Sequence, residues 1–505
     1  MGIRYKGLFA AFQGLFFPTR INFPLLASFS MSSALQTVTP NLFQDCSSPD
    51  VVFETSSDDS LDARHLRSFL STVMPEGAIG VSASYREGCQ LSAIAFSSPS
   101  RALVVHLTSG DLSVGSNESK RKRIIRARSV LQKQILCNAN YQKYAFKMDR
   151  IAIALYLDVT LRIDGAVDML SVSLHNRRSL QALMNAMGGE FTLHKPNVKA
   201  LFFDESRLVS DSDLVQQAWA ACRASTLSYM AVRFHPLRRI RTNSIPDEHM
   251  AVLAKIFRDG ELLDSLKPLA VKNDVMPDIA GGVDNLTLTC NRYPTRIRTS
   301  TQQFLQIETR NGAQVPGRAI RVEGRQAQIQ ILGTLQDDEV KSVTTFGKAD
   351  LTSAEACRES VILSILKGES TVMSHPFFKT IWLPNDPIHW PPSDHLKSEI
   401  PICCGDLKVN ASQKRAIEKI LSPSDEDRLV LIQGAPGTGK TTVITAAVTS
   451  ITSFPPANNR TVWIAAQSNV AVKNIAEKFA SIDFYDFALL VSKEFHFDWC
   501  APVYL

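Results

Sequence analysis

With 505 residues, the chain is long enough for about three domains, each able to bury its own core. Hydrophobic residues at 45% and charged residues at 21% exclude a fibrous, coiled-coil or wholly disordered protein. A net charge of +6 is a mild excess over this length, which permits a polyanionic partner without requiring one.

The first 44 residues hold no Asp or Glu, carry Arg4, Lys6 and Arg20, and are rich in Phe and Leu. An unstructured leader over residues 1–50 is expected, for a cytoplasmic or nuclear protein. A mitochondrial transit segment is the minor alternative. Arg20 interrupts the apolar stretch well short of the roughly 20 residues that a membrane span needs, so no membrane partner is expected. The nine cysteines show no CxxC pair and no zinc spacing, and Cys403 and Cys404 are too close for an ordinary bridge. That usage fits a reducing compartment, so the Asn-x-Ser/Thr triplets at Asn117, Asn285, Asn410 and Asn459 are read as chance.

Order is expected from residue 51. Apolar runs at 78–81, 91–96 and 102–107, separated by Gly, Ser and Pro, predict three short strands of one sheet. Helical periodicity at 130–136, 145–155 and 180–187 completes an α/β domain over 51–250. Apolar-polar alternation at 286–290, 304–308 and 327–331 then predicts strands with one solvated face. A helix is predicted near 353–367, and the Pro-studded run from Pro376 to Pro401 is expected to be mostly extended. Together these make a β-rich segment and linker over 251–400.

In the remaining segment, 401–505, residues 428–433 (Arg-Leu-Val-Leu-Ile-Gln) are suited to a buried parallel strand. They lead into Gly434-Ala-Pro-Gly-Thr-Gly-Lys-Thr441, which fits G-x-x-x-x-G-K-[ST], and residues 442–448 continue as a plausible helix, the context that this motif requires. Glycines let consecutive backbone N–H groups close around phosphate oxygens, and the helix N-terminus adds partial positive charge. A nucleoside triphosphate site, for ATP, is therefore expected at Gly434, Pro436, Gly437, Thr438, Gly439, Lys440, Thr441 and Thr442. Lys440 would meet the β/γ-phosphates and Thr441 the Mg²⁺ that bridges them, so these two carry the expected chemistry. Residues 461–465 predict a second buried strand, with Gln467, Ser468 and Asn469 at its carboxyl end, where ligands bind in open α/β sheets. A helix N-cap by Ser468 or Asn469 is the plainer reading of the same residues, and the two are compatible.

The string Val409-Asn-Ala-Ser-Gln413 with Ala416-Ile417, the loop itself, and Ala466-Gln-Ser-Asn-Val-Ala-Val-Lys-Asn474 resemble, in that order, three motifs of superfamily 1 helicases of the up-frameshift type. The resemblance implies a RecA-like P-loop domain of an ATP-dependent RNA/DNA helicase. It also implies that Gln413 reads the adenine edge, and that Ser468 and Asn469 touch the backbone of single-stranded RNA or DNA. It covers only about residues 405–499. No apolar strand ending in an Asp-Glu pair follows; residues 488–494 come nearest, but Ser492 and Lys493 stand where the carboxylates should be. A truncated domain that binds ATP without turning it over is the expectation.

Gly80-Val-Ser-Ala-Ser84, the run 91–96, Asn138, Asp149 and Asp168 faintly resemble the layout of a ribonuclease-D-like 3′-to-5′ exonuclease, whose domain is ribonuclease-H-like. The first strand of that family carries Asp-x-Glu to bind two metals. Here Ser82 and Ser84 hold those positions, which implies a nuclease without activity; an unrelated α/β domain with Asp168 at the surface is the alternative. Lys120-Arg-Lys-Arg123 with Arg126 and Arg128 is the densest basic cluster, and Arg238, Arg239 and Arg241 form a lesser one. Phosphate contact or a nuclear address stands against a plain solvated helix face. The alternating strands from 280 to 335 compare, by analogy alone, with the small β-barrel that such helicases carry for nucleic-acid contact.

The expected fold class is α/β: a ribonuclease-H-like α/β domain, a β-rich middle segment and a truncated RecA-like P-loop domain. The expected function is ATP binding within a helicase. A non-catalytic nucleotide- or nucleic-acid-binding scaffold is the alternative, and a P-loop ATPase of another kind the third.

Overall fold

The computed structural model describes residues 35–44, 49–74, 76–108, 118–204, 208–276, 280–282, 285–291, 297–300, 303–323, 325–333, 340–383, 388–391, 400–403, 407–453, 461–466 and 468–490. Residues 1–34 of the expected leader, Gln467, and Ser492 with Lys493 lie outside the described residues. Order does not wait for residue 51, since Gln36–Val38 pairs with Val51–Phe53, and Leu42 and Phe43 are buried in the core.

The chain begins with β1 (Gln36–Val38), β2 (Val51–Ser57), α1 (Ala63–Leu70), β3 (Ala78–Tyr85), β4 (Leu91–Ser97), β5 (Arg101–His106) and α2 (Glu118–Leu131). It continues with β6 (Gln142–Ala145), α3 (Met148–Val159), β7 (Asp164–Asp168), α4 (Leu180–Met187) and α5 (Lys195–Phe203). Then follow α6 (Asp211–Thr226), α7 (Ser228–Phe234), β8 (Ile240–Arg241) and α8 (Asp247–Ser265). The eight strands order as β1-β2-β5-β4-β3-β6-β7-β8; β3, β6 and β7 run parallel, and β4 runs antiparallel to both β3 and β5. Alternation sorts side chains by size across this sheet. Ile79, Val81, Ile94, Phe96, Leu103 and Val105 pack on one face with α1, α2, α3 and α8. Ala93, Ala95, Ala102 and Val104 face the other side, with α4, α6 and α7. Small residues there admit α6 closely: a Cβ on Gly80 would stand 1.8 Å from the Ala218 carbonyl oxygen.

After α8 come β9 (Ala270–Asn273), β10 (Ala280–Gly282), β11 (Asn285–Thr289), β12 (Phe304–Thr309), β13 (Gln314–Glu323), β14 (Gln326–Ile331) and β15 (Val340–Phe346). These seven strands form a second, antiparallel sheet in the order β10-β11-β14-β13-β12-β15-β9, so the alternating runs predicted as strands are β11, β12 and β14. Its inward positions, among them Leu288, Leu305, Ile307, Ile329 and Val343, build a separate core. The two ends of this unit meet, because Ala270 pairs with Phe346. The next helix, α9 (Ser353–Leu366), returns to the first core through Ile362, Leu363, Ile365 and Leu366, where α8 also packs. The β-rich unit is thus carried on two helices that both belong to the first hydrophobic core.

Two sequence expectations need correction beyond this point. The Pro-studded run does not begin extended: Pro376–Trp382 is a helix, α10, because a proline in the first helical turn has no hydrogen bond to lose and its φ already suits the helix. Residues 428–433 and 461–465 are not buried strands. Neither joins a sheet; Leu431 is 88% and Trp463 84% exposed. A central parallel strand needs ladder partners on both edges and cover on both faces. Among the described residues, the segment supplies only α11 (Ala411–Leu421), α12 (Lys440–Ser453) and α13 (Asn469–Ala480), packed against one another. Among the described residues, no helix is long and apolar enough to cross a membrane.

Candidate nucleotide site

The loop is held by the two helices around it. Ile417 and Leu421 of α11 pack against Val443 and Ala446 of α12, which fixes the start of α12 beside the start of α11. At the head of α11, Asn410 and Gln413 form a reciprocal capping box: the Asn410 Oδ1 accepts from the Gln413 N–H at 2.9 Å, and the Gln413 Oε1 accepts from the Asn410 N–H at 2.9 Å. Gln413 then donates from Nε2 to the Thr438 carbonyl at 3.0 Å, tying the cap to the loop.

Within the loop, Gly437 and Gly439 take φ values of +79° and +80°, a region that side chains rarely enter. A Cβ on Gly439 would also meet Gln413 Nε2 at 2.4 Å, and one on Gly434 would meet Thr438 Oγ1 at 2.6 Å, so a side chain at either position would displace these two loop contacts. Thr438 Oγ1 donates to the Ala435 carbonyl at 2.8 Å. Lys440, the first residue of α12, folds back so that Nζ donates to the carbonyls of Gly434 at 2.7 Å and Ala435 at 2.8 Å. The loop from Gly434 to Thr438 is exposed, with Thr441 and Thr442 half-buried behind it. Helix α12 meets the loop with first-turn N–H groups that have no intrahelical acceptor and with the positive end of its dipole, an arrangement suited to an anion.

The structure therefore brings Gln413 together with Gly434, Thr438, Gly439 and Lys440. Ser468 lies at the N-terminus of α13, where its Oγ accepts from the Ala471 N–H at 3.2 Å, and Asn469 is the first residue of that helix. The cap is thus realised at Ser468. Sequence reasoning missed the capping box at Gln413, although Asn-x-x-Gln at the head of an amphipathic run is its signal.

Of the exonuclease-like residues, Ser82 and Ser84 lie on β3, Asp149 in the first turn of α3 after β6, and Asp168 at the end of β7. Ser82 donates from Oγ to the Leu214 carbonyl at 2.7 Å, and Ser84 shares a 2.7 Å hydrogen bond with Ser92. Asp149 accepts from Arg177 Nη1 at 2.8 Å and Nη2 at 3.0 Å, and Asp168 accepts from the same Nη2 at 2.9 Å. Asp168 is fully buried rather than at the surface; it also accepts from Ser171 Oγ at 2.6 Å and the Met148 N–H at 3.1 Å. Burial opposes the charge on Asp149, but the guanidinium outweighs it and holds the carboxyl below its ordinary range. Asn138 is not part of this group, since it precedes β6 and accepts, through its carbonyl, from Lys143 Nζ at 2.9 Å. Among the described residues, no group of three or more His, Cys, Asp or Glu side chains is placed to hold a metal. Sequence reasoning did not find Arg177.

Residues 408–491 match the model of a family described as an AAA domain. Over 86 residues the chain is 38% identical to an uncharacterized ATP-dependent helicase of Methanocaldococcus jannaschii, which covers 17% of this chain and 12% of that protein. Over 96 residues it is 38% identical to the ATP-dependent helicase upf1 of Schizosaccharomyces pombe, which covers 17% of this chain and 10% of that one. The chain therefore spans about a tenth of the length of these relatives. A solved structure described as the apo form of the nuclease aligns with 42% of this chain and 93% of its own at 14% identity, with a TM-score of 0.24, too low to assign a fold. The three ordered motifs and these matches make residues 408–491 a helicase-related, ATP-binding segment of the superfamily 1, up-frameshift type.

Proposed function

We propose that this segment is the nucleotide-binding part of an ATP-dependent helicase acting on single-stranded RNA or DNA. The observation that carries the reading is the loop itself: two left-handed glycines, the Lys440 ammonium in its mouth and the open N-terminus of α12 converge on one place. The backbone of Gly434, Pro436, Gly437, Thr438 and Gly439 would surround the phosphates, with Thr442 behind. Lys440 would leave its two loop carbonyls for the β/γ-phosphates, and the Thr441 hydroxyl would face Mg²⁺, which supplies charge neutralisation to the phosphoryl group. Gln413 spends one N–H on Thr438 and one lone pair on Asn410. A second N–H and a second lone pair remain for an adenine edge, so capping and base reading are compatible. Ser468 and Asn469, at the start of α13, would offer hydroxyl, amide and backbone donors to a nucleic-acid phosphate.

The test is equilibrium ATP binding by the full chain with and without Lys440→Ala. Losing a charged hydrogen bond of about 1.5–3 kcal/mol weakens binding by roughly ten- to a hundredfold. Equal affinity of the two proteins would sink the assignment.

A second reading, a binding scaffold built on an inactive nuclease, is favoured by the ion pairs at Asp149 and Asp168. The strand order β5-β4-β3-β6-β7, with β4 antiparallel to its neighbours, supports a ribonuclease-H-like arrangement. Two-metal phosphodiester cleavage needs free carboxylates, whereas these two share one arginine and the serines carry no charge. Mn²⁺-dependent cleavage of an oligonucleotide, lost in Asp168→Ala, would overturn this reading.

A further inference from the structure

Helix α2 carries a charge pattern that does nothing for the helix. From Glu118 to Leu136 the sequence has seven basic residues and one acidic residue. Lys120, Arg121, Lys122 and Arg123 crowd the amino-terminal end, where the helix dipole already presents positive charge. Lys122 and Arg126 lie one turn apart with like charge, which destabilises an isolated helix. An ordinary solvated face alternates signs instead.

The rotation of the helix is fixed. Ile124, Ala127, Leu131 and Ile135 face inward and are buried, the last in the wider turn Gln132–Leu136 that extends α2. Arg128 is bolted to the buried Asp58, with Nε at 2.9 Å and Nη2 at 2.7 Å from Oδ2. The remaining cations are all exposed. Lys120 pairs with Asp59 at 3.5 Å and Lys122 with Glu118 at 2.7 Å. Arg121, Arg123, Arg126 and Lys133 are exposed and form no ion pair among the described residues. At 1.5 Å per residue these four span about 18 Å, the axial reach of roughly five phosphates of one duplex strand. Three of the four are arginines, whose planar fork grips phosphate oxygens in pairs.

We infer that the outer face of α2 is a nucleic-acid backbone clamp on the first domain, separate from Ser468 and Asn469 and independent of the P-loop reading. It would read phosphate charge rather than sequence: no aromatic side chain lies between Arg121 and Lys133, and the Gln132 amide oxygen is already engaged by the Arg162 N–H at 2.7 Å. The carboxylates of Asp58, Asp59 and Glu118 are each paired with a cation of this helix, Arg128, Lys120 and Lys122 respectively, which lowers local repulsion of an incoming strand.

The test uses the full chain without nucleotide and a labelled 20-nucleotide RNA, in single-stranded and duplex form, with binding measured across salt concentration. In the variant Arg121→Gln/Arg123→Gln/Arg126→Gln/Lys133→Gln, affinity at low salt is expected to fall at least tenfold. The slope of log affinity against log salt should decrease in magnitude by about 3, at 0.7–0.9 per lost phosphate contact. Arg126→Gln/Lys133→Gln should give about half that change, and both variants should melt no lower than the parent. An unchanged slope overturns the inference. So does equal displacement of RNA by polyglutamate of matched charge, which would mark the face as a site for acidic protein. Lys440→Ala is expected to leave the slope unaltered, which separates this test from that of the ATP site.

Discussion

Arg177 stands between two buried carboxylates, Asp149 with 4% and Asp168 with 0% of the side chain exposed, and neutralises both. Removing it leaves two negative charges in the interior without their cation. Arg177→Met is therefore expected to cost about 3–5 kcal/mol at neutral pH, read by chemical denaturation. The pH dependence gives a sharper signature. In the native protein Asp149 lies below its ordinary value of 3.8, so the folded state binds fewer protons than the unfolded one. That stability is present above about pH 4 and is lost as pH falls through the depressed value. Without Arg177, burial, the largest influence on Asp149, is opposed only by the Arg150 N–H and the Lys147 charge, so its pKa is expected to rise and acidification then relieves the buried charge. The stability gap between parent and variant should be widest near neutrality and narrow below pH 4, and a gap independent of pH would contradict the pairing.

At the scale of elements, the contact of α6 with β3 depends on one missing methyl group. Gly80 faces the Ala218 carbonyl, and a Cβ would approach it to 1.8 Å and the Cys222 nitrogen to 2.6 Å, both backbone atoms that a rotamer change cannot move. Gly80→Ala should thus destabilise the first domain toward the upper end of the roughly 1–3 kcal/mol typical of overpacking; a melting temperature equal to the parent's would show that α6 can shift. The strands β3, β4 and β5 were legible in the sequence as short apolar runs between turn residues, and β11, β12 and β14 as period-two alternation, both of them local signals. The P-loop was legible for the same reason, since motif and helix are contiguous. The runs at 428–433 and 461–465 carry the same apolar signal but lack ladder partners among the described residues, and a strand exists only through its neighbours. Helix α10 was missed because proline was read as a breaker when it sits in the first turn. Nothing local points to Arg177, whose partners lie 9 and 28 residues away on different elements. The same holds for Arg178, which joins Asp264 of α8 at 2.6 Å to Glu359 of α9 at 2.5 Å, 86 and 181 residues distant.

For the whole molecule, these connections divide the chain by stability. The first core runs from α1 to α9 and is tied by buried ion pairs, including Arg128–Asp58 and Arg258–Asp158, each at 2.7 Å. Arg178 clamps the two helices that carry the β-rich unit, so that unit is anchored at both ends. Around the nucleotide loop, by contrast, the cluster of described buried residues is Ile417, Leu421, Val443 and Ala446. Stability within one chain follows local burial, so amide exchange should be fast in α11 and α12 and slow in β3–β5 and α6. A ligand that binds only the folded loop adds RT ln(1 + [L]/Kd), about 2.7 kcal/mol at a hundredfold excess over Kd. With Mg·ATP at that level, exchange in α11 and α12 should slow by up to about a hundredfold, while the amides of β9–β15 keep their rates. In Lys440→Ala the protection should vanish at the same ATP concentration. Protection that spread equally into the β-rich unit would instead place the nucleotide between the two units, a geometry that the loop, facing solvent from Gly434 to Thr438, does not provide.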